Sequence, residues 1–267
     1  MLDNPHLTLE RDGHVAIVTM NRPEAKNAWS LELMAGLADS WEIIDKDPEI
    51  RVAILTGAGG TFSAGADLKL MHSDQSDNPW HKRFRDDAGL HFRAMLRSPQ
   101  KLHKPLVSAI EGYALGGGTE IIQATDIRIA GESSRFGLTE CKMGLFPLGG
   151  STVRLARQIP YTFAMDILLT GRLFSAAEAL SYGLIGRVVP DGTALEEAMK
   201  VANKIASNGP LAVQAIKRSV LETADMTEEE GLAHELEIGQ PIIFQTADAK
   251  EGARAFAERR KPNFKGN

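Results

Sequence analysis

Two glutamates and two glycine-rich turns are the parts of this sequence whose residue types and spacing fit catalysis. Glu120 closes residues 112–120, in which Gly116, Gly117 and Gly118 stand in a row, and Glu140 closes residues 136–140. Paired carboxylates can act as general acid and general base when their surroundings separate their pKa values. Spacing alone does not establish that the two glutamates meet in the folded chain, so their pairing is a hypothesis at this point.

The other glycine-rich turn covers residues 62–69, with the sequence Phe-Ser-Ala-Gly-Ala-Asp-Leu-Lys. Both turns follow an apolar stretch typical of a buried strand, and both precede a predicted helix. Small residues let a ligand approach the backbone, and the N–H groups at the start of a helix have no partner within it. Two such turns could form an oxyanion hole. The purely structural alternative is a tight turn with a glutamate that complements the helix dipole.

Other catalytic motifs are incomplete in this chain. The glycine pattern of dinucleotide-binding proteins fails at Phe62 and at Ile121, and no lysine completes a phosphate-binding loop. His234 and Glu235 begin a zinc-binding pattern, but Ile238 stands where the second histidine is needed. We therefore predict no metal site and no separately bound cofactor.

Composition narrows the class of protein. The chain has 267 residues, a net charge of -5 and a single cysteine, Cys141, so it can bury a large core but cannot form an internal disulfide. The net charge argues against non-specific binding to nucleic acid. Residues 1–11 lack the pattern of a signal peptide, and no apolar run is long enough to cross a bilayer. We expect a cytoplasmic protein without membrane contact.

The predicted elements place the chain in the α/β class, because strand, glycine turn and helix recur. A hairpin is predicted around Asp12-Gly13, with strands at 7–11 and 14–20. Further strands are predicted at 52–56, 106–110 and 127–130, and helices at 29–46, at 80–96 and after Gly118. From about residue 193 only helices are predicted, at 194–207, 211–222, 227–244 and 248–260. We interpret residues 1–192 as an α/β core and residues 193–267 as a helical region that packs on the core or on another subunit.

The order of these motifs resembles the crotonase superfamily, the enoyl-CoA hydratase/isomerase family. The segments that carry the resemblance extend over nearly the whole chain, and they are residues 21–23, 62–69, 112–120, 136–140, 144–150, 169–172 and 256–264. The resemblance implies a crotonase-like spiral of ββα units with a C-terminal helical trimerisation region. It also implies a homotrimer or a dimer of trimers.

The resemblance further implies roles for individual residues. The backbone amides of Ala66 and Gly117 would form the oxyanion hole, Glu120 would activate a water molecule, and Glu140 would protonate the α carbon of the substrate. Coenzyme A would be part of the substrate and would contact one set of residues, namely Ala25, Lys26, Ala64, Gly65, Ala66, Asp67, Leu68, Lys69, Gly116, Gly117, Phe256 and Arg259. One departure is Glu24, where several members of the family carry a lysine; Lys26 would take over that contact.

Retention of both glutamates favours an enoyl-CoA hydratase, a hydro-lyase that converts a trans-2-enoyl-CoA into a 3-hydroxyacyl-CoA. Isomerases of the family often keep only the later acid, and dehydration is the same reaction reversed. The alternatives are such an isomerase or another crotonase-type reaction, a glycosidase with two carboxylates, and an acyl-CoA-binding protein without catalysis. The acyl group stays open between fatty acyl chains of β-oxidation, sterol side chains and other carboxylates. Residues 71–102 are expected to border its pocket.

Overall fold

A six-stranded sheet forms the centre of the computed structural model, which describes residues 2–71, 73–74, 76–97 and 101–267. Its strands, in spatial order, are β1 (Leu7–Asp12), β2 (Val15–Met20), β3 (Val52–Gly57), β4 (Leu106–Ile110), β6 (Ile127–Gly131) and β9 (Arg187–Val189). The β1–β2 hairpin is antiparallel, and all other pairs in this sheet are parallel. The carboxyl ends of β3 and β4 therefore lie at the same edge of the sheet.

A smaller sheet continues from that edge. It contains β5 (Tyr113–Leu115), β7 (Arg135–Gly137) and β8 (Leu173–Ser175), with β7 in the middle. The chain passes from β4 to β5 through Gly112, whose φ of +59° favours glycine. Phe136 and Phe174 stack across the β7–β8 pair with their ring centroids 5.6 Å apart. Through β5, this sheet fixes the backbone just before the three consecutive glycines at 116–118.

Helices cover one face of the large sheet. The longest of them is α1 (Leu31–Lys46). Its N-cap residue is Ser30, whose side chain accepts a hydrogen bond from the Leu33 N–H. The other helices of the α/β part are α2 (Leu68–Met71), α3 (Pro79–Asp86), α4 (Leu90–Ala94), α5 (Gly117–Ile122), α6 (Ser151–Gln158), α7 (Tyr161–Thr170) and α8 (Ala176–Ser181). The main hydrophobic core, which contains Trp41, Leu55 and Phe62, lies between this layer and the sheet.

The prediction of one helix at 80–96 was wrong, because two short helices, α3 and α4, occupy that range. Asp87 has a non-helical backbone conformation, and its side chain accepts hydrogen bonds from the Gly89 N–H at 3.0 Å and from the Arg93 guanidinium. An aspartate that bonds to the backbone two residues ahead competes with helical hydrogen bonding. Within the expected acyl-pocket segment 71–102, residues 72, 75 and 98–100 lie outside the described part.

The opposite face of the sheet is covered by α9 (Ala194–Ala206). Its alanines lie against Val52, Ile54 and Val107, so both faces of the parallel strands are buried. Parallel strands buried on both faces have the continuous apolar sequence from which they were predicted. The division of the chain at residue 193 stays a prediction.

Three further helices complete the C-terminal region: α10 (Pro210–Glu222), α11 (Glu228–Gln245) and α12 (Ala247–Ala257). They lie at the edge where the parallel strands begin. Lys217 donates to the Lys104 carbonyl at 2.9 Å and to Asp126 at 2.7 Å, and these two acceptors precede β4 and β6. Arg51, just before β3, donates to the Phe264 carbonyl at 2.8 Å. In the described residues, none of the helices combines the length and the apolar content that a membrane crossing requires.

Candidate active site

The two glycine-rich turns lie side by side at the carboxyl ends of β3 and β4. The Ser63 N–H donates to the Tyr113 carbonyl at 2.8 Å, and the Leu115 N–H donates to the Ser63 carbonyl at 2.9 Å. These two bonds pair the segment after β3 with β5. Residues that are about fifty positions apart in sequence are thereby held in adjacent backbone segments.

Gly65 permits the closest approach between these segments. It has a φ of +86°, and a methyl group on it would lie 2.6 Å from the Leu115 carbonyl oxygen and 3.2 Å from the Gly117 nitrogen. The next residue, Ala66, is exposed, and Gly117 is partly exposed. Among the hydrogen bonds of the described residues, neither the Ala66 N–H nor the Gly117 N–H donates to a protein acceptor. Two accessible backbone donors in adjacent turns fit the requirement of an oxyanion hole.

Trp29 supports this arrangement, and the sequence did not reveal its role. Its backbone N–H donates to the Gly65 carbonyl at 2.8 Å, and its indole N–H donates to the Ser63 hydroxyl, also at 2.8 Å. The same hydroxyl donates to the Asn27 carbonyl and accepts from the Gly65 N–H. The side chain of Ser63 therefore links the segment 27–29 to the turn that carries Ala66 and fixes that turn.

Glu120 lies in the first turn of α5 and is only 4% exposed. Its carboxylate accepts a hydrogen bond from the Ser151 N–H at 3.2 Å. Burial raises the pKa of Glu120, and the hydrogen bonds from residues 149–151 oppose that rise. A methyl group on Gly149 would lie 2.7 Å from the Glu120 Oε2 atom. The turn before α6 therefore surrounds this carboxylate closely, a contact that the sequence did not reveal.

Glu140 begins a 3-10 turn, Glu140–Met143, that follows β7. Burial raises its pKa to about 7, and the negative charge of Glu120 adds to this rise. A methyl group on Gly116 would lie 3.0 Å from the Glu140 Oε1 atom, so the carboxyl group borders the glycine-rich turn. Its Oε2 atom is buried and has no hydrogen-bond partner in the described part of the chain. The structure thus brings both glutamates to the two turns.

The residues expected to contact coenzyme A near the turn at 62–69 form one edge of this site. Lys26 accepts a hydrogen bond from the Ala64 N–H at its carbonyl, and its Nζ atom lies 5.8 Å from the centre of the Tyr113 ring. Ala25 precedes it in a 3-10 turn, and Leu68 and Lys69 begin α2. Lys69 is exposed.

The carboxylate of Asp67 has partners within the protein. It accepts a hydrogen bond from the Arg22 guanidinium at 2.7 Å, and it also accepts the N–H groups of Lys69 and Leu70. These bonds hold the start of α2 against the loop after β2. The side chain of Asp67 therefore shapes the turn.

Among the described residues, no hydrogen bond or ion pair joins Phe256 or Arg259 to the two turns. Phe256 is 88% exposed on α12, and Arg259 follows that helix with a φ of +55°. The chain end that follows them bonds to Arg51 at the start of β3, whereas the turns follow the end of β3. A strand of this length extends about 20 Å, at about 3.3 Å per residue.

Groups of three or more potential metal ligands do not occur among the described residues. The residues gathered at the turns are backbone donors and carboxylates. Such a set can bind a carbonyl oxygen as it becomes negative and can exchange protons with the atoms beside it.

Comparison with known proteins gives consistent matches over nearly the full length. A family model described as enoyl-CoA hydratase/isomerase matches residues 10–267. The chain is 54% identical to enoyl-CoA hydratase EchA19 of Mycobacterium tuberculosis, over 97% of this chain and 96% of that protein. It is 42% identical to (E)-benzylidenesuccinyl-CoA hydratase of Thauera aromatica, over 97% and 99% of the two chains. A crystal structure of an enoyl-CoA hydratase from Mycobacterium tuberculosis superposes with a TM-score of 0.89 at 41% identity, covering 98% of this chain and all of that one.

Proposed function

Because the chain belongs to the enoyl-CoA hydratase/isomerase family, we propose that it is a hydro-lyase that adds water reversibly to a trans-2-enoyl-CoA. The product is a 3-hydroxyacyl-CoA. The observation that carries this proposal is the pair of accessible amides, at Ala66 and Gly117, beside a buried carboxyl group, Glu120, and a half-buried one, Glu140. The crotonase fold of the structural relatives supports the same reading.

The amides of Ala66 and Gly117 bind the thioester oxygen of the substrate. When water attacks the β carbon, negative charge moves onto this oxygen, and both donors become stronger partners. Loss of one such donor typically costs about 3 kcal/mol of transition-state stabilisation. Because the amides are fixed by the pairing of Ser63 with β5, they need little reorganisation during the reaction.

The two glutamates transfer the protons of the reaction. Glu120, held as an acceptor by the Ser151 N–H, takes one proton from the water as its oxygen bonds to the β carbon. Glu140 gives a proton to the α carbon, a role that suits an acid with a pKa of about 7. Its unpartnered Oε2 atom is the atom free to exchange that proton. Transfer of the proton from Glu120 back to Glu140 through solvent restores the pair.

Coenzyme A supplies binding energy away from the reacting carbons. We assign its contacts to the edge formed by Ala25, Lys26 and Ala64 and to the start of α2, where Lys69 is exposed. Coenzyme A is part of the substrate, and the proposed reaction needs no separate cofactor. We place the protein in the cytoplasm, in fatty-acid or related acyl-CoA breakdown.

We assign Phe256 and Arg259 to contacts with a substrate bound to another copy of the chain, in a homotrimer or a dimer of trimers. The 88% exposure of Phe256 on α12 supports this assignment. So does a set of exposed apolar side chains on α10 and α11, comprising Ile216, Val220, Leu232, Leu236, Ile243 and Phe244. A second copy would cover such surface.

Turnover of a panel of trans-2-enoyl-CoA thioesters tests the proposal. The panel includes short, long and bulky acyl chains, since relatives are named for benzylidenesuccinyl-CoA and 2,3-dehydroadipyl-CoA. We expect at least one to lose its conjugated-thioester absorbance and to yield a 3-hydroxyacyl-CoA. The variants Glu120→Gln and Glu140→Gln should each lower kcat severely while the exposed Glu132→Gln control keeps it. If the protein bound these thioesters but turned over none of the panel, it would be an acyl-CoA-binding protein without catalysis.

A further inference from the structure

The two glutamates of the candidate active site lie in contrasting surroundings. Glu120 accepts the Ser151 N–H at 3.2 Å, and the N–H groups of residues 149–151 oppose the rise of its pKa that burial causes. Glu140 has a buried Oε2 atom without a hydrogen-bond partner in the described part of the chain, and burial raises its pKa to about 7. The turn at residues 149–151 therefore distinguishes the two carboxyl groups.

Arg154, on α6, holds this turn. Its guanidinium donates from Nη1 to the Gly149 carbonyl at 3.5 Å and to the Met95 carbonyl at 3.4 Å, and from Nη2 to the Leu96 carbonyl at 2.5 Å. Its backbone N–H donates to the Gly150 carbonyl at 2.9 Å. One residue thus joins α6, the turn and the two residues that follow α4.

The backbone that Arg154 contacts after α4 is strained. Leu96 has a φ of +50°, in the left-handed region, and a residue other than glycine keeps such a conformation only where its surroundings hold it. The side chain of Met95, just before it, reaches the same turn as Glu120. A methyl group on Gly149 would lie 2.4 Å from the Met95 Cε atom and 2.7 Å from the Glu120 Oε2 atom. Arg154 therefore fixes both backbone segments that border this carboxylate.

The charge of Arg154 acts on Glu120 as well. The acceptors of its guanidinium are backbone carbonyls, and it forms no ion pair within the described ranges of the chain. Burial lowers the pKa of Arg154, the charge of Arg97 lowers it further, and the charge of Glu120 opposes both effects. Electrostatic attraction is mutual, so Arg154 stabilises the ionised form of Glu120.

The other titratable groups around the site do not have this effect. Glu140 is negative when it is ionised, and it then disfavours a second negative charge beside it. His91, on α4, has its Nδ1 atom 3.3 Å from the Met34 sulfur, and burial lowers its pKa, so the ring is neutral at neutral pH. Of these groups, Arg154 is the one that favours an ionised Glu120.

We propose that Arg154 is the positioning residue for Glu120: its guanidinium fixes the turn at 149–151, and its charge keeps Glu120 ionised while Glu140 stays protonated. Addition of water needs a base and an acid together, and two neighbouring carboxyl groups take these forms only where their surroundings differ. The catalytic consequence rests on the proposed hydration. The effect on the protonation of Glu120 exists without turnover.

A titration of the Glu120 carboxyl group tests this effect without any assay of activity. The full-length protein is labelled at the carboxyl carbons of its glutamates, and the NMR signal of Glu120 is identified by its absence in Glu120→Gln. We expect the midpoint of this signal to lie about half a pH unit to one pH unit higher in Arg154→Gln than in the wild type. Arg154→Met is a second neutral variant for the case in which the glutamine variant does not fold.

Two further variants serve as controls. Arg154→Lys keeps the charge but lacks the planar fork that reaches three carbonyls, so the midpoint should stay within a few tenths of a unit of the wild type. Arg157→Gln removes the same charge from a position on α6 that is 61% exposed, and it should leave the midpoint unchanged. An unchanged midpoint in the neutral Arg154 variants, or an equal shift in either control, would overturn the proposal.

Activity gives a second measurement. In Arg154→Gln the acid limb of the kcat/KM profile should move to higher pH by the same amount as the NMR midpoint, because Glu120 must be ionised to act as the base. In Arg154→Lys, kcat should fall about tenfold with KM nearly kept. A purely structural role would lower kcat without moving the limb, which would also overturn the proposal. If no enoyl-CoA is hydrated but the Glu120 midpoint still shifts, the proposed function is wrong and the role of Arg154 toward Glu120 is supported.

Discussion

Replacement of Glu140 by glutamine should make the folded protein more stable at alkaline pH while it impairs catalysis. Burial and the charge of Glu120 raise the pKa of Glu140 from its ordinary value of 4.5 to about 7. The folded state therefore binds more protons than the unfolded state between about pH 4.5 and pH 7, and wild-type stability falls as the pH rises through that window. Glutamine does not ionise, so it avoids this loss.

The size of the effect follows from the same pKa. Each unit of pKa difference between the folded and unfolded states is worth about 1.4 kcal/mol of stability. The rise of the pKa from 4.5 to about 7 therefore lowers the wild-type free energy of unfolding by at most about 3 kcal/mol once the pH exceeds 7. The Glu140 side chain is only half-buried, and solvent screening lowers the expected value to about 1–2 kcal/mol. Below about pH 4.5 the carboxyl group is protonated in both the folded and the unfolded state, so the advantage of the variant should vanish there.

Urea unfolding at pH 5 and pH 8, at one protein concentration, measures this difference. We compare the free energy of unfolding of Glu140→Gln with that of the wild type at each pH. The advantage of the variant should be about 1–2 kcal/mol larger at pH 8 than at pH 5. Glu132→Gln, at an exposed position, should show no such pH dependence. A difference between Glu140→Gln and wild type that is equal at both pH values would refute the claim that the active-site environment destabilises the ionised Glu140.

Three further changes address the neighbourhood of the glutamates. Gly149→Ala places a methyl group 2.7 Å from Glu120 Oε2, and we expect steady-state assays to show kcat lowered about 10²-fold with substrate binding largely kept. Gly65→Ala places a methyl group 2.6 Å from the Leu115 carbonyl oxygen, at a residue whose φ is +86°. We expect kcat to fall by about 10²-fold or more in the same assays and the Tm to be lower in calorimetry. Trp29→Phe loses the hydrogen bond to Ser63, and urea unfolding should show a loss of about 1 kcal/mol.

Much of the fold could be predicted from sequence because its elements have local signatures. The hairpin at Asp12-Gly13, the buried strands β3 and β4 and the four C-terminal helices are confirmed within a few residues of the predicted bounds. Each has a periodicity, or a continuous apolar run, that a single segment reveals. The membership of the enoyl-CoA hydratase/isomerase family, expected from the ordered motifs, is confirmed by the match over residues 10–267.

The features that sequence did not reveal depend on contacts between distant segments. The bond from the Ser151 N–H to Glu120 joins residues 31 positions apart, and the Trp29 indole reaches Ser63 across 34 positions. Strand β5 has only three residues, too few for a pattern. The interruption between α3 and α4 depends on one side chain, that of Asp87, which competes with an otherwise helical sequence.

The pairing of the Ala66 and Gly117 amides is the central claim, and vibrational spectroscopy of a bound thioester measures it most directly. A trans-2-enoyl-CoA labelled at the thioester carbonyl is bound to Glu120→Gln, which should be too slow to hydrate it during the measurement. Two backbone donors on one oxygen weaken the C=O bond, so we expect the carbonyl stretch of the bound thioester to lie below its frequency in water. A bound thioester whose stretch lies at or above the aqueous frequency would contradict the assignment of these two amides.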